Sequence, residues 1–170
     1  MKRLLLAAAQ GDADAQFNLG VMYDNRIDDH NNAVRPTDDN GYDVDSNRAE
    51  AMKWLLCAAE QGLPRAQTRL AELYAEGPDA PLHYVKACQW FILAMTSLHG
   101  FHFERAQAGY DRLSALLTSA QLATAAARAK TWQRRWRQSA ALKAAKILEN
   151  DALKSRRRGA HSPAAIGKTS

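Results

Sequence analysis

A repeated pattern constrains the fold of this chain more than any other feature of its sequence. Residues 4–23 (LLLAAAQGDADAQFNLGVMY) align without a gap with residues 55–74 (LLCAAEQGLPRAQTRLAELY) at an offset of 51. Residues 51–58 (AMKWLLCA) align with residues 87–94 (ACQWFILA) at an offset of 36. The period is therefore 36 residues, and the first copy carries 15 inserted residues. Such a period predicts a stack of similar structural units.

Small and large apolar side chains recur within the repeat at helical spacing. Ala15, Leu19 and Tyr23 lie four residues apart and form one stripe on a helix. Trp54 and Ala58 have the same spacing on the helix that follows. Small residues let two helices approach closely while Tyr or Trp fills the space beside them, which predicts antiparallel helix pairs. The residues expected to build this repeat core are Gly11, Ala15, Leu19, Tyr23, Ala51, Trp54, Ala58, Gly62, Ala66, Leu70, Tyr74, Ala87, Trp90 and Ala94.

The repeat also explains the first residues of the chain. Gly11 and Gly62 fall where one helix ends and the next begins, and a glycine there can adopt the left-handed conformation of a C-terminal cap. The opening MKRLLLAAAQG matches the helix end KWLLCAAEQG, and its apolar run is too short for an export signal. The longest apolar runs are also far below the roughly 20 residues that a transmembrane helix needs. We therefore expect a cytoplasmic protein without a transmembrane segment.

The full pattern resembles a known family of helical repeats. Ala-x-x-x-Leu-Gly/Ala-x-x-Tyr, then Gly-x-x-Val, then Ala-x-x-Trp-x-x-x-Ala-Ala-x-Gln-Gly is similar to the Sel-one-like repeat, a relative of the tetratricopeptide repeat. The resemblance covers residues 3–98 and fades over 103–117. It implies an all-α, right-handed α-α solenoid of about two and a half antiparallel helix pairs with a long C-terminal helix. It also implies an adaptor or scaffold that binds other proteins, with no catalytic residues of its own.

Charge divides the chain into two regions of opposite sign. Residues 1–127 contain 11 Lys plus Arg and 16 Asp plus Glu, a net charge of −5, whereas residues 128–170 contain 12 and 2, a net charge of +10. The two regions are therefore expected to meet different partners. The predicted organisation is a repeat domain over 1–132 with a loop insertion at about 26–40, a basic helical extension over 133–158 and a disordered tail over 159–170.

The C-terminal region reads as one long helix with a basic surface. Thr118 and Gln121 have the spacing of a capping box, and no glycine or proline follows until Gly159. Arginines surround a tryptophan in the segment TWQRRWR. Such a surface can meet an acidic or helical protein, nucleic acid or an anionic membrane, or can simply be solvated. Charge alone does not choose among these alternatives.

Residue types typical of metal or catalytic sites occur at unsuitable spacings. If Gly41 stands sixth in a calcium-binding loop, Asn47 occupies the twelfth position, where an EF-hand needs glutamate. His99 and His102 lack the i, i+4 spacing that places two ligands on one helix face. The two cysteines, Cys57 and Cys88, belong to no paired motif and are expected to be buried as small apolar residues. We therefore predict no catalytic residue, metal or cofactor.

The predicted function is a non-catalytic interaction module that binds a peptide or helix in a groove. The resemblance places groove contacts on the first helix of each pair, and the C-terminal helix adds a second contact. The predicted contacts are Gln16, Asn18, Asp24, Gln67 and Arg69 in the repeats and Arg134, Arg135, Trp136 and Arg137 in the extension. The alternative is a protein that binds nucleic acid or an anionic surface through residues 128–158.

Overall fold

The computed structural model describes residues 2–28, 44–76, 79–97 and 100–159. These residues form α-helices and contain no β-strand, which confirms the predicted all-α class and the long C-terminal helix. The helices are α1 (Lys2–Ala9), α2 (Ala13–Asp28), α3 (Val44–Glu60), α4 (Pro64–Glu76), α5 (Ala80–Met95), α6 (Phe101–Ser114) and α7 (Ser119–Gly159). The chain falls into two compact units, Met1–Trp132 and Gln133–Ser170.

Helices that follow one another in the first unit are also neighbours in space. Helix α2 packs against α3, and α4 packs against α5. The second helix of each pair also contacts the first helix of the next, through α3 with α4 and α5 with α6. In addition, α4 contacts α6, so first helices of successive pairs lie side by side. This is the arrangement of an α-α solenoid.

The same hydrogen-bonded turn closes α1 and α3. Gly11 and Gly62 have φ values of 94° and 89°, in the left-handed region that the sequence predicts for them. The amides of Gly11 and Asp12 donate to the carbonyls of Ala8 and Ala7, respectively. At the equivalent place, the amides of Gly62 and Leu63 donate to Ala59 and Ala58. Both turns are Schellman motifs, and α4 then begins at Pro64, where the missing amide hydrogen of proline costs little.

The repeat residues form the core that the pattern predicts. Leu19, Leu55 and Leu70 are completely buried, and Trp90 is 4% exposed. Tyr23 and Trp54 are partly buried and pack against the cores. The alanines expected at helix crossings are buried throughout the repeats, namely Ala15, Ala51, Ala58, Ala66, Ala87 and Ala94. The interior therefore mixes small and large side chains, and the small ones let the helices approach closely.

Two helical glycines lie against large side chains of a neighbouring helix. A Cβ atom on Gly20 of α2 would collide with the side chain of Leu55 on α3. A Cβ atom on Gly109 of α6 would likewise collide with the ring of Phe91 on α5. Both large partners are completely buried. The glycine in each case leaves the space that its buried neighbour occupies.

The first turns of α7, through Trp132, belong to the first compact unit. The structure confirms the capping box, since the amide of Thr118 donates to Gln121 Oε1 at 2.9 Å and the amide of Gln121 donates to Thr118 Oγ1 at 3.3 Å. Trp132 packs edge-to-face against Trp90 of α5, with ring centroids 6.0 Å apart. Ala125 and Ala129 of α7 are buried in the main core of the first unit.

The two cysteines have different environments. Cys88 is completely buried, as expected, and burial raises the pKa of its thiol to about 11. Cys57, in contrast, is exposed on α3, so its prediction as a buried residue is wrong. Its place between buried Leu55 and Ala58 explains the difference, because successive residues of a helix point in different directions.

Some predictions fall on residues that the structure does not describe. The insertion was expected from residue 26, but helix α2 continues to Asp28. The rest of the insertion, including most of its aspartates, lies outside the described residues, as do His99 and residues 160–170 of the predicted tail.

Candidate functional site

A groove runs along α2, α4 and α6, the first helices of successive pairs. Its volume is about 530 Å³. We call it the repeat groove, and its lining residues are Phe17, Val21, Arg65, Thr68, Arg69, Glu72, His102 and Arg105. The groove thus lies on the helices that the sequence analysis assigned to partner binding.

The α2 side of the groove combines an apolar surface with an arginine. Phe17 is partly buried against the main core, and Val21 lies one turn further along α2. The Arg65 guanidinium lies 4.6 Å from the centroid of the Phe17 ring, close enough for a cation–π interaction. Arg65 also pairs with Asp14, whose side chain is 67% exposed. Ion pairs this exposed contribute little to stability.

Four charged side chains form a chain of ion pairs that joins the three helices. Arg69 on α4 pairs with Asp24 on α2, whose side chain is 2% exposed. The Nη1 atom of Arg69 donates to Glu72 Oε2 at 3.1 Å. Arg105 on α6 donates through Nε and Nη2 to the two carboxylate oxygens of Glu72, at 2.6 and 2.7 Å. Bidentate pairs of this kind fix the orientation of the guanidinium as well as its position.

These contacts raise the pKa of both arginines, which are charged at any ordinary pH. Burial acts to lower the pKa of Arg69, but hydrogen bonds and charge from Asp24 and Glu72 outweigh it, so the pKa is raised. The hydrogen bonds to Glu72 raise the pKa of Arg105 against a smaller opposing effect of burial. The groove therefore presents permanent positive charges at fixed positions.

The exposed charge of the groove differs from that of the surrounding repeats. Three of the eight lining residues are arginines and one is a carboxylate, whereas residues 1–127 have a net charge of −5. The side chains of Arg65 and Arg105 are 45% and 49% exposed, but that of Glu72 is 12% exposed. A solute that enters the groove therefore meets N–H donors before it meets carboxylate oxygens.

Gln16 and Gln67 have an internal role that differs from the partner contact expected from the sequence. They are 7% and 2% exposed, respectively. The Nε2 atom of Gln16 donates to the Ala8 carbonyl at 3.0 Å, and that of Gln67 donates to the Ala59 carbonyl at 3.1 Å. Each carbonyl lies in the last turn of the preceding helix, so each glutamine ties two helices together. Their burial corrects the hypothesis that they contact a partner directly.

The Gln67→Ala substitution is expected to lower the free energy of unfolding by about 1 to 2 kcal/mol, because a hydrogen bond to a buried carbonyl is lost. Urea denaturation followed by circular dichroism measures this change. The matched control is Gln107→Ala, since Gln107 donates to Asp111 at the surface, and its effect should stay within about 0.5 kcal/mol. Equal losses in the two variants would contradict the internal role of Gln67.

The other predicted repeat contacts occupy three different environments. Asn18 is exposed on α2 but does not line the groove. Asp24 is buried beneath the groove, where it pairs with Arg69, so a direct contact between Asp24 and a partner does not fit its 1% exposure. Arg69 does line the groove, with 20% of its side chain exposed.

The predicted contacts on the C-terminal helix belong to the second unit. Arg134, Arg135 and Arg137 are exposed, and Trp136 is 40% exposed. Every described side chain from 134 to 154 is exposed. The exposure is compatible with each of the alternatives that the sequence left open for this region.

Sequence reasoning missed several groove residues. Arg65 and Glu72 flank Arg69 at i−4 and i+3 on α4, so helical spacing alone places all three on one face. Arg105 and His102 lie where the repeat pattern fades, and no frame indicated their direction. His102, which was considered as a metal ligand, lines the groove instead. Among the described residues, no three His, Cys, Asp or Glu side chains come together as a metal site requires.

Paired helices, their cap glycines and the groove along the first helices define a helical-repeat protein of the tetratricopeptide type. Within that class, the Sel1 repeat family matches residues 13–29, 39–63 and 64–95. The chain therefore contains Sel1-like repeats within residues 13–95. Proteins of this family generally serve as non-catalytic modules for protein–protein interaction.

A solved structure shares this fold over almost the whole chain. It is the crystal structure of c5321, a protective antigen present in uropathogenic Escherichia coli strains and displaying an SLR fold. The TM-score is 0.60 at 24% identity, and the alignment covers 98% of this chain and 29% of the antigen. The similarity therefore concerns the fold, and this chain spans less than a third of the antigen. No curated protein matches the chain.

None of the helices in the described part of the chain has both the length and the apolar character that crossing a bilayer requires.

Proposed function

We propose that this chain is a non-catalytic adaptor that holds a peptide or helix of a partner protein in the repeat groove. The observation that carries the proposal is the groove itself, which lies on the first helices of three successive pairs and combines apolar side chains with accessible arginines. Apolar surface supplies binding energy, and a few well-placed polar groups supply specificity.

The positions of the groove side chains support binding without a large rearrangement. The ion pairs of Arg69 and Arg105 fix these side chains before any partner arrives. The Phe17 ring does the same for Arg65. Side chains that are already ordered lose less conformational entropy on binding, so a preorganised groove binds more tightly than a mobile one with the same contacts.

A substitution that fills the groove tests the proposal. Val21 is half-buried at the groove surface, and Val21→Trp places an indole where the partner would lie. The matched control is Leu82→Trp, because Leu82 is 80% exposed on α5 and lies outside the groove. The amount of partner protein that the full-length chain captures from native extract should fall at least about tenfold with Val21→Trp. It should be unchanged with Leu82→Trp. Quantitative mass spectrometry of the captured proteins measures both.

The same capture separates the groove from the basic C-terminal helix. A full-length triple variant, with Arg134, Arg135 and Arg137 changed to glutamine, should retain the groove partner after nuclease treatment and at high salt. The proposal would be contradicted if binding survives in Val21→Trp but is lost in the triple variant. Loss of that binding at high salt or after nuclease treatment would contradict it in the same way. That outcome would assign the function to nucleic-acid or anionic-surface binding through the C-terminal helix, because phosphate contacts weaken steeply with salt.

A further inference from the structure

The repeat groove concentrates accessible arginines within a region that is otherwise acidic. Residues 1–127 contain 11 basic residues, and three of them line this one groove. Outside the groove, the excess of carboxylates gives the region its net negative charge. The arginines therefore form a local positive patch, and a local patch selects a ligand by the charge that fits it.

Each groove arginine already has a carboxylate partner. The patch is positive at its surface because the guanidinium groups are more exposed than most of these carboxylates. The partners of Arg69 and Arg105 are the buried Asp24 and the nearly buried Glu72, which lie beneath the guanidinium groups. The side chain of Arg105 is 49% exposed above them. Buried carboxylates of this kind hold the arginines in place while the guanidinium groups face the groove.

Two of the arginines, Arg65 and Arg105, can each donate hydrogen bonds to a carboxylate of a ligand. Glu72 accepts hydrogen bonds from the Nε and Nη2 atoms of Arg105, and an arginine has five N–H donors in all. Arg65 pairs with Asp14, which is 67% exposed and therefore easily replaced by a carboxylate from a ligand. The Phe17 ring keeps the Arg65 guanidinium at the groove during such an exchange.

We propose that the occupant of the repeat groove is an acidic peptide segment whose carboxylates pair with Arg65 and Arg105. The inference rests on the proposed function and specifies the chemistry of its partner. Phe17 and Val21 line the same groove, so the segment also carries a large apolar side chain that packs against them. An acidic segment with an interspersed apolar residue satisfies both parts of the lining.

The surrounding charge favours a peptide over a nucleic acid in this groove. A nucleic acid carries a negative charge at every phosphate, and these charges would extend over the acidic surface of the repeats. A peptide with a few carboxylates places its charge only where the arginines lie. Asp14, which pairs with Arg65 and is 67% exposed, would also repel a continuous row of phosphates.

A random peptide library displayed on phage tests the inference with the full-length chain. The library is selected on the wild-type protein and counter-selected on Val21→Trp, so that the enriched sequences are those that need the open groove. We expect these sequences to be rich in Asp and Glu near a large apolar residue. The strongest sequence is then synthesised with glutamate and, as a matched peptide, with glutamine at the same positions.

The affinities of the two peptides are measured for wild type, Arg65→Gln, Arg105→Gln and the control Lys130→Gln, which removes one charge from an exposed position on α7. Glutamine in the peptide should weaken binding to wild type about tenfold, and either arginine variant should do the same to the acidic peptide. The glutamine peptide should lose little further affinity in the arginine variants, because the interaction is already absent. Lys130→Gln should bind both peptides like wild type.

The possible outcomes distinguish a failure of the acidic-peptide proposal from a failure of the proposed function. Enriched peptides that are not acidic, or that bind the arginine variants like wild type, would overturn the acidic occupant and leave the groove function standing. Displacement of the peptide by a single-stranded oligonucleotide at physiological salt would also overturn it. If no peptide distinguishes wild type from Val21→Trp, the proposed function itself fails. Thermal unfolding of each variant shows whether a loss of binding reflects a loss of folding.

Discussion

Arg69→Met should lower the free energy of unfolding by about 3 to 5 kcal/mol, because removing one partner of a buried ion pair leaves the other charge uncompensated. The charge left behind is that of Asp24, which is 1% exposed on α2. Glu72 still has Arg105 as its partner, so the loss comes mainly from Asp24. Methionine retains much of the side-chain length without the charge. Urea denaturation followed by circular dichroism measures the change.

Two further variants distinguish an unpaired charge from a simple loss of packing. The double variant Asp24→Leu/Arg69→Met removes both charges and should regain most of the lost stability, since apolar residues can replace a buried ion pair at little cost. The control Arg65→Met breaks the exposed pair with Asp14, and its effect should stay within about 1 kcal/mol. A double variant no more stable than Arg69→Met would show that packing, and not charge, causes the loss.

The second large effect is expected from Phe91→Ala, which should lower the free energy of unfolding by about 3 to 5 kcal/mol. Phe91 is completely buried between α5 and α6, and its ring fills the space that Gly109 leaves. Removing the ring loses its transfer free energy and creates a cavity. The same denaturation measurement applies, and Leu82→Ala is the exposed control, with an expected change within about 0.5 kcal/mol.

Gly109→Ala tests whether the ring and the glycine form one packed unit. Its Cβ atom would lie 2.7 Å from Phe91 Cε1, so overpacking alone should cost about 1 to 3 kcal/mol. In Phe91→Ala, the same methyl group would fill part of the cavity. The double variant should therefore be more stable than Phe91→Ala alone, and simple addition of the two losses would refute the shared packing.

Much of the fold could be predicted from the sequence because its determinants are local and repeated. Gly11 and Gly62 signal helix ends through their position after an apolar run, and their positive φ values confirm it. Thr118 and Gln121 signal a helix start in the same way. Alanines at fixed spacing predict close helix crossings, and the buried Ala51 and Ala87 lie at those positions. Each of these signals depends on a few neighbouring residues, which a sequence displays directly.

The candidate site was harder to predict because its contacts join distant parts of the chain. Gln16 and Gln67 were assigned to a partner from their helix face, but their long side chains reach back to a carbonyl eight residues earlier. Glu72 was missed although its spacing places it beside Arg69. Its significance depends on Arg105, which is 33 residues away in a stretch where the repeat frame is lost. Periodicity gives the face of a helix, and only the assembled structure gives the partner.

The junction between helices has a consequence for how such a chain can grow. At the α1–α2 and α3–α4 junctions, one carbonyl accepts both the backbone amide of the cap glycine and the side-chain amide of the glutamine five residues later. The parts that set the angle to the next unit therefore lie within a segment of nine residues, Ala8 to Gln16 or Ala59 to Gln67. A duplicated unit would carry its own set of these hydrogen bonds. Extra residues within this segment would instead separate the glutamine from the carbonyl that it binds. The inserted residues of this chain follow Tyr23 and so lie outside the nine-residue segment. Added length at that place leaves the hydrogen bonds between successive units intact.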